Sequence, residues 1–122
     1  MNTILLVDDN DEFRTMLSEV LTGAGYQVQE ASDGEQAIRL YESQPTDMVT
    51  TDLVTPKKEG LKMIAEFKRL YSDSKIIAIT GSERRGSEAS LKMAEALGAQ
   101  RVLAKPFSQG EILDMIGQVL KA

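Results

Sequence analysis

Short apolar runs alternate with longer segments of helical periodicity along the chain. The apolar runs predict five strands: Ile4 to Val7, Tyr26 to Glu30, Met48 to Thr51, Ile76 to Ile79 and Arg101 to Ala104. Each predicted strand is followed by a segment with helical spacing of its apolar residues. This alternation predicts a parallel sheet with helices on both faces.

Apolar positions three and four residues apart predict five helices. The first ends near Gly23, the second runs from about Asp33 to Ser43, and the fourth runs roughly from Gly86 to Leu97. The fifth begins after Ser108, which forms a capping-box pattern with Glu111. The expected core-facing residues are Phe13, Met16, Leu17, Val20 and Leu21; Ala37, Ile38 and Tyr41; Leu61, Ile64, Phe67, Leu70 and Tyr71; Leu91, Met93, Ala94 and Leu97; and Ile112, Met115, Ile116, Val119 and Leu120.

Length and composition narrow the class of protein. A chain of 122 residues, 42% hydrophobic and 27% charged, fits one domain spanning residues 1–122. Because there is no apolar stretch of membrane-spanning length and no secretory signal, we expect a cytoplasmic protein without membrane insertion. The formal net charge of -5 disfavours direct binding to nucleic acid.

Cysteine and histidine are both absent from the sequence. Their absence excludes disulfides, thiolate nucleophiles, zinc-thiolate sites and Ser-His catalysis by this chain alone. If phosphoryl transfer from a phosphohistidine is involved, the histidine must belong to another protein.

Polar residues that can support chemistry follow four of the predicted strands. Asp8 and Asp9 come directly after the first strand and Asp52 after the third, while Thr80 and Lys105 follow the fourth and fifth. Ligands of open parallel sheets bind beyond the carboxyl ends of the strands, so these side chains are expected at one edge. Clustered carboxylates suit a hard cation and a phosphoryl group, which makes Asp52 a candidate nucleophile.

Each of these residues also has an ordinary structural explanation. Asp8 and Asp9 could cap the first helix, and Asp52 could form a turn before the proline. Lys105 could be a solvated surface lysine, and Thr80 could begin a turn. Four such features at one sheet edge favour a functional site over four unrelated explanations.

The motifs together resemble the response-regulator receiver domain of two-component signalling, over essentially the whole chain. They are Val7-Asp8-Asp9, Asp52-Leu53-Val54-Thr55-Pro56, Gly60, Thr80-Gly81 and Lys105-Pro106-Phe107. The resemblance implies an α/β, flavodoxin-like (βα)5 fold. Its sheet would be doubly wound, with five parallel strands in the order 2-1-3-4-5.

The resemblance also implies a magnesium site beside a phosphoacceptor. Asp9, Asp52 and the backbone carbonyl of Val54 would bind Mg²⁺ directly, and Asp8 would act largely through water. Asp52 would attack the incoming phosphorus and form an acyl phosphate.

The same resemblance implies which residues compensate the phosphoryl charge and carry the signal. Lys105 would supply a fixed ammonium, aimed into the site by a cis bond to Pro106. Thr80 would supply a hydroxyl that moves toward the bound phosphoryl group and carries the signal.

The implied function is that of a stand-alone phosphoacceptor. The phosphoryl group would come from a sensor histidine kinase or a phosphotransfer protein, and the output would be docking to a downstream protein. The chain would catalyse its own phosphorylation and dephosphorylation without being an enzyme in the usual sense. We expect a monomer or a weak dimer.

Three departures from the family pattern leave alternatives open. Val102 stands where receivers usually have a switching aromatic residue, and Thr55 stands where they usually have a large apolar one. Val54 stands where a polar side chain could position hydrolytic water. Val54 and Ser82 are expected to set the lifetime of the phosphorylated state.

The first alternative function is that of a receiver-shaped interaction module that does not use phosphorylation. A second, an aspartate-nucleophile phosphatase, is disfavoured because Val54 is not the acid that such enzymes need two residues after the nucleophile.

Overall fold

A computed structural model describes residues 2–52, 57–80 and 92–121 of the chain. Its sheet contains five parallel strands in the order β2-β1-β3-β4-β5, which confirms the predicted topology. The strands are β1 (Thr3–Val7), β2 (Gln27–Ala31), β3 (Met48–Asp52), β4 (Ile76–Thr80) and β5 (Arg101–Ala104).

Helices follow the strands as the periodicity predicts. They are α1 (Asp11–Gly23), α2 (Gly34–Ser43), α3 (Lys57–Leu70), α4 (residues 92–97) and α5 (Gln109–Lys121). The predicted capping box of α5 is confirmed, since the Ser108 N–H donates to Glu111 Oε1 at 2.7 Å and the Glu111 N–H to Ser108 Oγ at 3.1 Å. Residues 86–91, predicted as the start of the fourth helix, lie outside the described residues.

The core lies in two layers, one on each face of the sheet. Alternate residues of β1 point to opposite layers. Leu5 and Val7 pack with α2 and α3, whereas Ile4 and Leu6 pack with α1 and α5. All four side chains are at most 5% exposed, because a parallel sheet is covered by helices on both faces. The carboxyl ends of the strands are thereby held in fixed positions.

Three side chains predicted to face the core are instead exposed. Met16, Leu70 and Met93 are 46%, 44% and 51% exposed. In α1 the fully buried side chains are those of Leu17 and Leu21, so the apolar stripe is wider than the surface that contacts the sheet. Leu70 is the last residue of α3.

Candidate functional site

The strand register brings the predicted site residues to one edge of the sheet. Val7 is paired with Thr51, so Asp8 and Asp52 follow at the same level of two adjacent strands. On the other side of β3, Thr80 ends β4 and is paired with Ala104, the residue before Lys105. The predicted convergence of these strand ends is therefore observed.

Lys105 and Asp52 form a partly buried ion pair at this edge. Lys105 Nζ donates to Asp52 Oδ2 at 2.8 Å, and the two side chains are 25% and 7% exposed respectively. The bond between Lys105 and Pro106 is cis, as the family resemblance implied. Lys105 is therefore not a freely solvated surface lysine.

Asp8 is buried beside this pair. Its side chain accepts from the Asn10 N–H at 2.8 Å through Oδ1, while Oδ2 is buried without a hydrogen-bond partner among the described residues. The pKa of the Asp8 carboxyl is raised to about 7. Burial is the largest cause, the nearby Asp52 carboxylate also raises the pKa, and the Asn10 N–H and Lys105 lower it. Near neutral pH, Asp8 can therefore gain or lose a proton.

The residues that follow Asp8 fix the start of α1. Asn10, and neither aspartate, caps the helix, because its side chain accepts from the Phe13 N–H at 2.9 Å. The capping explanation for Asp8 and Asp9 is therefore wrong, and Asp9 is exposed. The preference of asparagine for N-cap positions is a signal that could have identified Asn10 from the sequence.

Arg14 is a second residue that sequence reasoning missed. Its Nη1 donates to the backbone carbonyl of Asp8 at 2.7 Å, and its other guanidinium nitrogens bond to Asp11 at 2.8 Å and Glu30 at 3.0 Å. The planar guanidinium can bond several oxygens at once, so Arg14 ties α1 to the loop that carries Asp8. An arginine one turn into an amphipathic helix has no sequence signal for this role.

Residues 4–117 match the family model of the response regulator receiver domain. The chain belongs to this family. It is 36% identical over 121 residues to the transcriptional regulatory protein CpxR of Klebsiella pneumoniae, with 99% of this chain and 50% of CpxR covered. It is 33% identical over 119 residues to the chemotaxis protein CheY of Halobacterium salinarum, with 98% of this chain and 97% of CheY covered.

Solved receiver structures show the same fold. The crystal structure of a putative response regulator from Chloroflexus aurantiacus is 28% identical and aligns with a TM-score of 0.90, covering 99% of this receiver and 98% of that chain. The receiver spans half the length of CpxR but nearly all of CheY.

Family membership establishes the general role of the chain. Receiver domains are phosphoacceptor signalling modules that generally depend on Mg²⁺ and interact with histidine kinases or phosphotransfer proteins and with downstream targets. In the part of the receiver that the structure describes, no helix is long and apolar enough to cross a membrane.

The donor chemistry of this receiver fits a magnesium ion. The unpartnered Oδ2 of Asp8 beside Asp52 leaves carboxylate oxygens at the sheet edge, and Mg²⁺ prefers oxygen ligands. Within residues 2–52, 57–80 and 92–121, however, no three acidic side chains are already grouped around one metal position. Val54, the predicted carbonyl ligand, lies outside the described residues, as do Thr55 and Ser82.

Proposed function

We propose that this receiver accepts a phosphoryl group on Asp52 from a sensor histidine kinase or a phosphotransfer protein and then signals to a protein partner. The observation that carries the proposal is the partly buried ion pair between Lys105 and Asp52. A carboxylate that is 7% exposed and bonded to an ammonium lies where a phosphoryl group would meet a nucleophile and a positive charge together.

The proposed reaction is an in-line displacement at phosphorus. An Asp52 oxygen forms the new P–O bond while the bond from phosphorus to the donor breaks, and its electron pair leaves with the donor. Lys105 then balances negative charge on the phosphoryl oxygens, and the Thr80 hydroxyl donates a hydrogen bond to one of them. The chain promotes its own phosphorylation because these groups are placed before the donor arrives.

Asp8, Asp9, Asp52 and the Val54 carbonyl are the proposed holders of Mg²⁺. When bound, the ion supplies positive charge that neutralises the carboxylates and the phosphoryl oxygens. The raised pKa of Asp8 means that its proton must leave before its carboxylate can bind a cation.

The test is phosphorylation of the purified chain by acetyl phosphate with Mg²⁺, followed by intact mass measurement. We expect one hydroxylamine-labile phosphoryl adduct that is absent in Asp52→Asn. Asp73→Asn is the matched control, because Asp73 is exposed in the turn before β4, at the opposite edge of the sheet. An adduct that persists in Asp52→Asn would contradict the assignment.

Val102 supports a second candidate, a receiver-shaped module whose binding does not depend on phosphorylation. Val102 is half-buried in β5 and packs against the core layer that contains Ala78. The branched aliphatic side chain has no ring that could turn between an outward and an inward position. Amide NMR with Mg²⁺ and beryllofluoride separates the candidates: shifts confined to the surroundings of Asp52 favour the module, whereas shifts that reach α4 and α5 favour phosphorylation-dependent signalling.

A further inference from the structure

Lys105 has a second contact besides the one with Asp52. Its Nζ lies 3.8 Å from the centroid of the Phe13 ring. The same nitrogen is 2.8 Å from Asp52 Oδ2. An ammonium over an aromatic ring is attracted by the negative face of the ring. Lys105 is therefore held both by the Asp52 carboxylate and by the Phe13 ring.

The Phe13 ring is itself held in place. It meets Phe107 edge-on, with ring centroids 6.2 Å apart and an interplanar angle of 85°. The Phe13 backbone is fixed by the bond to the Asn10 cap, and its side chain packs against the core layer between the sheet and α1 and α5. The ring is therefore held by Phe107, by the core layer and by the capped start of α1.

The geometry points to Phe13 as a positioning residue that keeps the Lys105 ammonium in the site for phosphoryl transfer at Asp52. This inference rests on the proposed phosphoacceptor function of Asp52. A lysine side chain has four rotatable carbons and loses much conformational freedom when it is fixed, so a single carboxylate contact constrains it weakly. A ring face excludes many of the alternative rotamers.

The ring contact also does not depend on the charge of Asp52. When Asp52 is phosphorylated to the acyl phosphate, its carboxyl group is neutral and the negative charge lies on the phosphoryl oxygens. The contact with Phe13 involves no atom of Asp52, so it does not require the Asp52 carboxylate charge. Phe13 thus keeps the ammonium near the site both before and after transfer.

Conservative variants separate this role from ordinary core packing. Phe13→Leu keeps an apolar side chain but removes the aromatic face, whereas Phe13→Tyr keeps the face. Phe67→Leu is the matched control, because Phe67 is fully buried in the core layer on the opposite face of the sheet. That control variant also loses an aromatic ring and some folding stability, but the change lies far from Lys105.

Two measurements test the inference. The first is the rate of phosphorylation by acetyl phosphate at saturating Mg²⁺. We expect about a three- to tenfold decrease in Phe13→Leu, the factor that a cation–π contact of ordinary strength provides. Phe13→Tyr and Phe67→Leu should remain within about twofold of the wild-type rate.

The second measurement is the NMR spectrum of the Lys105 side chain with selectively labelled lysine. Protons above a ring face are shielded, so the Lys105 ε-protons should lie upfield in the wild-type chain and in Phe13→Tyr. They should return toward the ordinary lysine position in Phe13→Leu, while Phe67→Leu leaves them unchanged.

The inference is overturned if Phe13→Leu phosphorylates at the wild-type rate, if Phe67→Leu slows the reaction equally, or if Phe13→Tyr fails to restore the rate. If the wild-type chain forms no adduct on Asp52, the proposed function fails by itself. The NMR comparison then decides the inference alone, and Lys105 resonances that do not move between wild type and Phe13→Leu overturn it.

Discussion

The backbone N–H of Lys105 donates to the carbonyl oxygen of Thr80 at 2.8 Å. This bond joins the last residue of β4 to the residue that follows β5. The candidate hydroxyl donor and the candidate ammonium donor are therefore linked through the main chain. The link is independent of both side chains, so each can be changed without breaking it.

Removing the Thr80 hydroxyl should therefore leave phosphorylation of Asp52 intact but weaken the conformational change that follows it. We expect Thr80→Val to form the Asp52 adduct, since Lys105 remains in place, but to show smaller beryllofluoride-induced amide shifts in β5 and α5. The comparison is by amide NMR against the wild-type chain, with Thr80→Ser as the control that keeps a hydroxyl. Shifts of wild-type size in Thr80→Val would show that the hydroxyl does not carry the signal.

Removing the Lys105 charge should slow the reaction strongly. In Lys105→Met we expect the phosphorylation rate to fall on the order of 100-fold, the loss typical for one preorganised donor at a developing charge. Lys105 also lowers the pKa of Asp8, so that pKa should rise further in the variant. Intact mass kinetics and a carboxyl NMR titration measure the two effects.

The matched control for that variant is Lys121→Met, which removes an exposed lysine at the end of α5. Its rate should equal that of the wild-type chain. Equal rates for all three proteins would remove Lys105 from the proposed chemistry.

The raised pKa of Asp8 predicts a pH-dependent stability in the absence of Mg²⁺. The folded pKa is about 7 and the ordinary value is 3.8, so the folded chain binds more protons between these limits. The free energy of unfolding should therefore decrease as pH rises from about 4 to about 7. Asp8→Asn removes this dependence and should be more stable than wild type above pH 7, by on the order of 2–4 kcal/mol.

Urea unfolding with a chelator present, at several pH values, measures this effect. The two proteins should differ least below about pH 3, where Asp8 is protonated in both the folded and the unfolded chain. A constant difference between them across the whole pH range would contradict a titrating Asp8.

Two glycines offer an internal comparison of backbone effects. Gly98 directly follows α4 with φ of +121°, and a Cβ there would lie 2.7 Å from Cγ of Lys68. Gly98→Ala should lower the free energy of unfolding by more than about 1 kcal/mol. Gly117 lies within α5, and a Cβ there meets nothing within 4 Å, so Gly117→Ala should raise the free energy of unfolding by about 0.5–1 kcal/mol. Thermal and urea unfolding of both variants test the opposite signs.

The meeting of Asp8, Asp52 and Lys105 at one edge could be predicted from the pattern of strands, whereas the strand order was implied by the family resemblance. Alternating strands and helices restrict the topology, and residues that directly follow parallel strands must share an edge. The contact between Phe13 and Lys105 could not be predicted this way. Its partners lie on separate elements, and Phe13 has the same periodic position as an ordinary core residue.

Two other features could not be predicted from the sequence pattern: the exposure of Met16 and the bond from Arg14 to the Asp8 carbonyl. Helical periodicity gives the direction of a side chain but not the width of the surface that covers it. A bond to a backbone carbonyl depends on the local path of the loop, for which the residue types give little information. Asn10 is the exception, because N-cap preferences are local.

The central place of β1 has a consequence for synthesis on the ribosome. β1 pairs with both β2 and β3, so the first three strands, with Asp8 and Asp52 at their ends, can associate before later strands emerge. Lys105 is made 53 residues after Asp52. A nascent chain that has completed β3 therefore contains both aspartates but not yet the lysine that pairs with Asp52 in the folded protein.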